Sequence, residues 1–223
     1  MESFEGVPLI EEDIRIGDRS YRIARVANVD QLFSRLLEKP DDHPDVTDER
    51  IPYWAEVWPS AIGLATFLLQ YPEQVAGRQV LEIGCGLGLP GIVAGSLGAR
   101  VLLSDYLAEA LTLAGHNWRL NQYSDATTRQ LDWRDLSSMP EADLVIASDV
   151  AYESRAFPDL EKLIRHYLSR RSTILLSEPQ RQFASTFFHS LNTLAAHSMF
   201  SLPITRNGIT TDVRVHTLRP SAT

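Results

Sequence analysis

Residues 81–91 read Leu-Glu-Ile-Gly-Cys-Gly-Leu-Gly-Leu-Pro-Gly, a spacing that suits the binding of a nucleoside-bearing ligand by bare backbone. Glycines at 84, 86 and 88 let the chain turn tightly and bring N–H groups close to a ligand, and a helix opening behind them adds its positive end. Gly86-x-Gly88-x-x-Gly91 also satisfies the dinucleotide fingerprint, so the glycines alone do not choose the ligand. Glu82 makes the choice. A carboxylate at the head of the loop repels a pyrophosphate and suits a cation, which points to S-adenosylmethionine with its ammonium and sulfonium and no phosphate. Asp105 follows the next apolar run, about twenty residues on, where a ribose-binding carboxylate belongs. The alternative is that Asp105 caps the helix behind it.

These residues need a frame of strands, tight turns and helices. Apolar runs predict strands over 79–83, 100–104, 127–131, 142–148 and 172–177. Helical patterns fall between them, from Trp58 to about Tyr71 and over 90–97, 108–120, 157–169 and 181–196. Such alternation predicts an α/β fold with a mostly parallel sheet covered on both faces. Phe200–Ile204 and Val213–Leu218 flank Asn207-Gly208, a type I′ turn signal, so the chain should close with an antiparallel hairpin. No helix is evident between 131 and 142. In the first fifty residues, 14–16 and 21–23 read as a hairpin, and Asn28 caps a helix to about Lys39. A proline-broken loop over 40–45 follows, and the whole reads as an N-terminal extension packed on a main domain of residues 51–223.

The chain has 223 residues, 44% of them hydrophobic, and no run of eighteen apolar residues, which suits a globular domain without a membrane partner. A net charge of −8 without a basic cluster argues against a nucleic-acid partner. Cys85, the single cysteine, excludes an internal disulfide and reads as a small side chain between turn glycines rather than a catalytic thiol. The six histidines are scattered, so no metal site is expected. An acidic start, Met1-Glu2-Ser3-Phe4-Glu5, predicts a cytoplasmic protein.

Three further segments accompany the glycine loop: Trp58-Pro59-Ser60-Ala61, Leu131-Asp132-Trp133 and Asp149-Val150-Ala151-Tyr152. Together they resemble the seven-strand class I methyltransferases of the methyltransferase-16 group. These include lysine methyltransferases acting on chaperones and on the electron-transfer flavoprotein β-subunit, with bacterial relatives similar to nicotinamide N-methyltransferase. The resemblance spans roughly residues 50 to 218. It implies a Rossmann-like methyltransferase fold with a seven-stranded sheet and S-adenosyl-L-methionine as cofactor. Trp58 would pack beside that cofactor, Glu82, Gly84 and Gly86 would surround its methionine part, and Asp105 would hold the ribose. Asp132 and Trp133 would flank the adenine. Cys85, Gly88, Tyr106 and Ser148 adjoin these positions and complete the expected cofactor-binding set, while Asp149 and Tyr152 would form the catalytic acceptor site.

The implied activity is N-methylation of a protein lysine. A small amine or pyridine such as nicotinamide is the alternative acceptor, and a non-catalytic cofactor- or partner-binding module is the reading of another class. Tyr53, Trp58 and Tyr152 offer faces to a cation. Trp54 reads as a core anchor, and His189 and His197 fall in a helical pattern as structural or surface residues. The segment Glu178-Pro179-Gln180-Arg181 either borders the acceptor pocket or opens a helix.

Overall fold

In the computed structural model, which describes residues 1–122, 124 and 126–221, the chain opens with a three-stranded antiparallel sheet. Its strands are β1 (Ser3–Phe4), β2 (Val7–Ile16) and β3 (Arg19–Val26). The hairpin runs further than residues 14–23 because buried apolar positions recur from Val7 to Val26. Asn28 caps α1 (Val29–Leu37), its side chain accepting the Asp30 N–H at 2.9 Å. The proline-broken loop contains one helical turn, α2 (Pro44–Thr47), with Pro44 at its first position.

The main body follows as α3 (Pro59–Gln70), β4 (Gln79–Ile83), α4 (Leu89–Ser96), β5 (Arg100–Asp105) and α5 (Ala108–Gln122). It continues with β6 (Thr127–Gln130), β7 (Leu144–Ser148), α6 (Phe157–Ser169) and β8 (Thr173–Glu178). The last elements are α7 (Ser185–Ser190), β9 (Ala196–Arg206) and β10 (Ile209–Arg219). Seven strands line up as β6-β5-β4-β7-β8-β10-β9, the first five parallel and β10 antiparallel to both neighbours. The order reverses at β4, so a crevice opens beyond the carboxyl ends of β4, β5 and β7. Asn207 and Gly208 both adopt positive φ, 51° and 77°, as a type I′ hairpin turn requires. Between β6 and β7 the chain makes only a 3₁₀ turn at Leu136–Ser138.

One expectation fails at the C-terminal side. The helix predicted over 181–196 shrinks to α7, flanked by 3₁₀ turns at Gln182–Ala184 and Leu191–Thr193. Ser185-Thr186-Phe187-Phe188-His189-Ser190 is a run of poor helix formers, and only Phe187, Phe188 and Leu191 anchor it in the core. His197 therefore lies in β9, not in a helix.

Apolar side chains form a layer on each face of the sheet. One gathers α3, α4 and α5 together with Val7, Ile14, Ile16, Ile23 and Val26 of the extension, and the other lies under α6 and α7. Asn117 of α5, fully buried, joins the extension to the glycine loop. It accepts the Ala24 N–H at 2.8 Å and donates to the carbonyls of Ala24 and Leu87, each at 3.1 Å. Among the described residues, no helix is long and apolar enough to cross a membrane. Residues 222 and 223, the last of the expected main domain, lie outside the described residues.

Candidate active site

The crevice is a cavity of about 500 Å³, within the range of small-ligand sites. Its floor is the loop leaving β4. Gly84, Gly86 and Gly88 all take positive φ (61°, 51° and 82°), a conformation that L side chains resist. A Cβ on Gly86 would stand 3.1 Å from the Trp54 carbonyl oxygen, so chain also approaches from the other side. Gly91 serves packing instead: a Cβ there would fall 2.4 Å from both Glu82 Oε2 and Leu103 Cδ2. Its absence lets α4 lie directly on β4 and β5.

Of the thirteen predicted site residues, twelve line this cavity: Trp58, Gly84, Cys85, Gly86, Gly88, Asp105, Tyr106, Asp132, Trp133, Ser148, Asp149 and Tyr152. Glu82 does not. Its side chain is fully buried under the loop, where Oε2 accepts the Gly91 N–H at 2.9 Å and Oε1 has no partner. Glu82 thus caps α4 from the neighbouring strand, supplying the oxygen that the helix's own N-cap, Gly88, lacks. Strand alternation turns the side chain of Glu82 beneath the loop, so it supports the loop from behind and does not line the cavity. Burial pushes its carboxyl up to about 8, opposed by the Gly91 N–H and reinforced by Asp105.

Asp105 does reach the cavity, and it also caps. Its Oδ2 accepts the Gly86 N–H and its Oδ1 the Leu107 N–H, each at 3.1 Å. Burial raises it to about 6 against these backbone donors. Each oxygen keeps a further lone pair for a ligand hydroxyl. Nearby, Trp133 rises beside the loop, its Cζ3 3.8 Å from where a Gly84 Cβ would be. Asp132 is held by the Arg134 guanidinium at 2.6–2.9 Å, which keeps its carboxyl below the usual range. The Arg50 guanidinium sits 5.5 Å from the centroid of the Tyr106 ring.

The remaining wall is aromatic and acidic. Asp149 follows β7 with φ 54°, a left-handed conformation that Asp tolerates, and its N–H donates to the Ser177 carbonyl at 2.8 Å. Both its carboxylate oxygens accept from Arg181, Nε at 3.1 Å and Nη2 at 2.9 Å. Burial raises the Asp149 carboxyl and Arg181 opposes that rise. The rings of Tyr53 and Tyr152 meet edge-on at 5.7 Å and those of Tyr53 and Trp58 at 6.0 Å. Trp58 Nε1 donates to the Tyr53 carbonyl at 2.7 Å, which fixes the indole. All three rings remain 36–43% exposed, so the mouth of the cavity is an aromatic surface open to the outside.

The sequence leaves Arg181 open between pocket border and helix start, yet it contacts Asp149 from 32 positions away. Nor does the sequence signal that Thr47, Asp48 and Glu49, at the end of the extension, form part of the wall. A basic residue just after the fifth parallel strand was the one available signal for Arg181.

The cavity fits S-adenosylmethionine. Its cradle is glycine backbone, Asp105 carries free lone pairs, Trp133 lies beside the loop, and the lining arginines at 134, 155 and 181 are all paired with acids, which leaves none of the three free for a pyrophosphate. A family model described as lysine methyltransferase matches residues 49–194. The chain is 31% identical over 183 residues to the histone-arginine methyltransferase METTL23 of Xenopus laevis, covering 79% of this chain and 72% of that protein. It is 34% identical over 132 residues to the protein N-lysine methyltransferase METTL21A of Xenopus tropicalis (57% and 61% covered). The human electron transfer flavoprotein beta subunit lysine methyltransferase is 29% identical over 178 residues (76% and 66% covered). Among solved structures, the magnesium protoporphyrin IX methyltransferase of Synechocystis superposes with a TM-score of 0.58 at 17% identity, over 86% of this chain and 92% of that one, a likeness of fold.

Proposed function

Since the chain belongs to the lysine methyltransferase family and is an S-adenosylmethionine-dependent enzyme, we propose that its acceptor is a lysine side chain of a protein. The observation that carries this reading is that the Asp149–Tyr152 turn and the glycine loop share one cavity whose aromatic mouth is open. A long side chain on a protein surface can enter there without the whole protein doing so. We read residues 1–50 as an extension of the 51–223 methyltransferase domain that contributes to this mouth.

The cofactor, when bound, supplies a methyl group on a positive sulfur that is already a good electrophile. The protein's task is alignment, which can contribute about 7–11 kcal/mol in favourable cases. In this reading the backbone of Gly84 and Gly86 holds the methionine part, Asp105 accepts from the ribose, and Asp132 and Trp133 flank the adenine. Asp149 is charge-paired with Arg181, so it attracts an ammonium less than a bare carboxylate does. Its remaining lone pairs suit the N–H groups of a neutral amine, the form that can attack. Tyr152, with Tyr53 and Trp58, excludes water and stabilises the cationic product through ring faces.

Incubation with radiolabelled S-adenosylmethionine and cell lysate tests this. Label in a discrete protein band that Lys→Arg at the target abolishes supports it, and label only in the low-mass fraction favours a small-amine acceptor. An arginine acceptor is the second reading. The bidentate Arg181–Asp149 pair demonstrates that this carboxylate accommodates a guanidinium, and METTL23 is named for histone arginine. Acid hydrolysis of the labelled band separates methyl-lysine from methyl-arginine.

A further inference from the structure

Behind the acceptor wall, under α7, lies a line of polar side chains that cofactor binding does not use. Glu178 at the end of β8 is 3% exposed, and His216 on β10 is 2% exposed. Asn192 fixes one end of the line: its Nδ2 donates to the His189 carbonyl at 2.9 Å, so its Oδ1, 2.7 Å from His197 Nδ1, must accept. His197 therefore carries its hydrogen on Nδ1. Burial, together with the adjacent His216, holds the His197 imidazole below its usual value and so keeps it neutral. Its bare Nε2 then accepts from His216 Nδ1 at 3.0 Å.

A His216 with only that hydrogen would present a second bare nitrogen to Glu178 Oε1, 3.4 Å away, and two buried acceptors would face each other. One more proton, held between His216 Nε2 and Glu178 Oε1, completes the line. Phe188 stacks on the His216 ring at 4.5 Å and fixes its plane. The other oxygen of Glu178, Oε2, accepts the Arg181 backbone N–H at 3.2 Å, just past Gln180, whose φ is 57°. Glu178 thereby sets the point from which the Arg181 side chain reaches Asp149.

We propose that His216 is a positioning residue of the acceptor site, acting through Glu178 to seat Arg181 on Asp149. The proposal rests on the reading of Asp149 as the acceptor group. Its effect is on geometry, since the Arg181–Asp149 pair decides how much of the carboxylate remains for the amine.

The test uses the ¹⁵N-labelled full chain with S-adenosylhomocysteine. Long-range ¹H–¹⁵N spectra should show the Nδ1–H form at His197 and a hydrogen on Nδ1 of His216. A His216 with hydrogen on Nε2 and a bare Nδ1 overturns the proposal, whatever the variants do. The Arg181 Nε–H should exchange slowly in the wild type and about tenfold or more faster in Glu178→Ala, in keeping with loss of a charge-assisted contact. His216→Phe keeps the ring stack and should show the same acceleration. Glu178→Gln should restore slow exchange, because its amide can accept from the Arg181 N–H and donate to a neutral His216. S-adenosylhomocysteine affinity should hold within about twofold throughout, reporting an intact fold. Unchanged Arg181 exchange in both Glu178→Ala and His216→Phe overturns the proposal. Faster exchange with undiminished methyl transfer upholds the relay and overturns Asp149 as the acceptor group.

Discussion

Replacing Glu82 by Gln should stabilise the protein above neutral pH, and the size of the effect follows from where the side chain lies. Glu82 is fully buried, with one oxygen on the Gly91 N–H and the other unpaired, and its carboxyl is raised from 4.5 to about 8. The folded state therefore binds a proton that the unfolded chain releases once the pH exceeds 4.5. Stability from this group is complete below pH 4.5 and is lost as the pH rises through about 8. Asp105, raised from 3.8 to about 6, loses its contribution in the same direction and is half-ionised at about pH 6, and because it stands in both proteins the comparison cancels what remains. The interval from pH 6 to 8 thus isolates Glu82. At about 1.4 kcal/mol per pH unit, and allowing for half-ionisation at the end, the wild type should lose roughly 2 kcal/mol across it relative to Glu82→Gln. For a chain of this length that is a relative fall in Tm of about 4–8 °C. The assay is thermal or urea unfolding of the cofactor-free proteins at pH 6, 7 and 8. Comparing the two proteins cancels the groups that both share. Parallel curves for wild type and variant would refute the reasoning, since they would mean that Glu82 is ionised in the folded protein throughout.

Four other outcomes are expected. Asp105→Ala should weaken S-adenosylhomocysteine binding by about 1–3 kcal/mol in calorimetry, and an unchanged Kd would leave Asp105 as a helix cap alone. With Asp105 intact, that affinity should rise between pH 5 and 7 as its carboxyl ionises through about 6, because the ionised form is the stronger acceptor for ribose hydroxyls. Asp149→Ala should impair single-turnover methyl transfer more than Tyr152→Phe, which keeps its aromatic wall, while both retain cofactor affinity; full transfer in Asp149→Ala would remove it from the acceptor site. Gly91→Ala should destabilise by about 1–3 kcal/mol in urea unfolding, since its Cβ would stand 2.4 Å from Glu82 Oε2 and Leu103 Cδ2, and α4 would have to lift off the sheet.

The parallel core of this fold was legible because its signals are local. Gln79–Ile83 and Arg100–Asp105 are apolar runs closed by turn residues, and Asn207-Gly208 names its own turn type. The helix over 181–196 was misread for the complementary reason. Apolar residues at 183, 187, 188 and 191 have helical spacing, but the intervening Ser, Thr and His residues do not sustain a helix, and pairing with β10 draws the chain into β9 from Ala196. The long β9–β10 ladder is non-local from that end, and no pattern within 181–196 announces it.

The site divides along the same line. Residues that belong to one strand-turn segment, such as Gly84 to Gly88 or Asp149 with Tyr152, line the crevice together because each segment carries its members there as a unit. Glu82 belongs to such a segment too but does not line the cavity, since the motif gives its position and not the face on which its side chain stands. On a parallel strand covered on both sides, alternation sends successive side chains into different buried layers, so a carboxylate one residue from the turn serves the helix cap rather than the ligand. With its carboxyl raised to about 8, Glu82 is largely uncharged at neutral pH in the cofactor-free protein, so it offers little repulsion. Selection against an anion falls instead to Asp105, which faces the cavity, and to the pairing of Arg134, Arg155 and Arg181 with acids, which leaves those guanidinium groups engaged. The preference for a cationic cofactor survives, carried by different residues from the one that first suggested it.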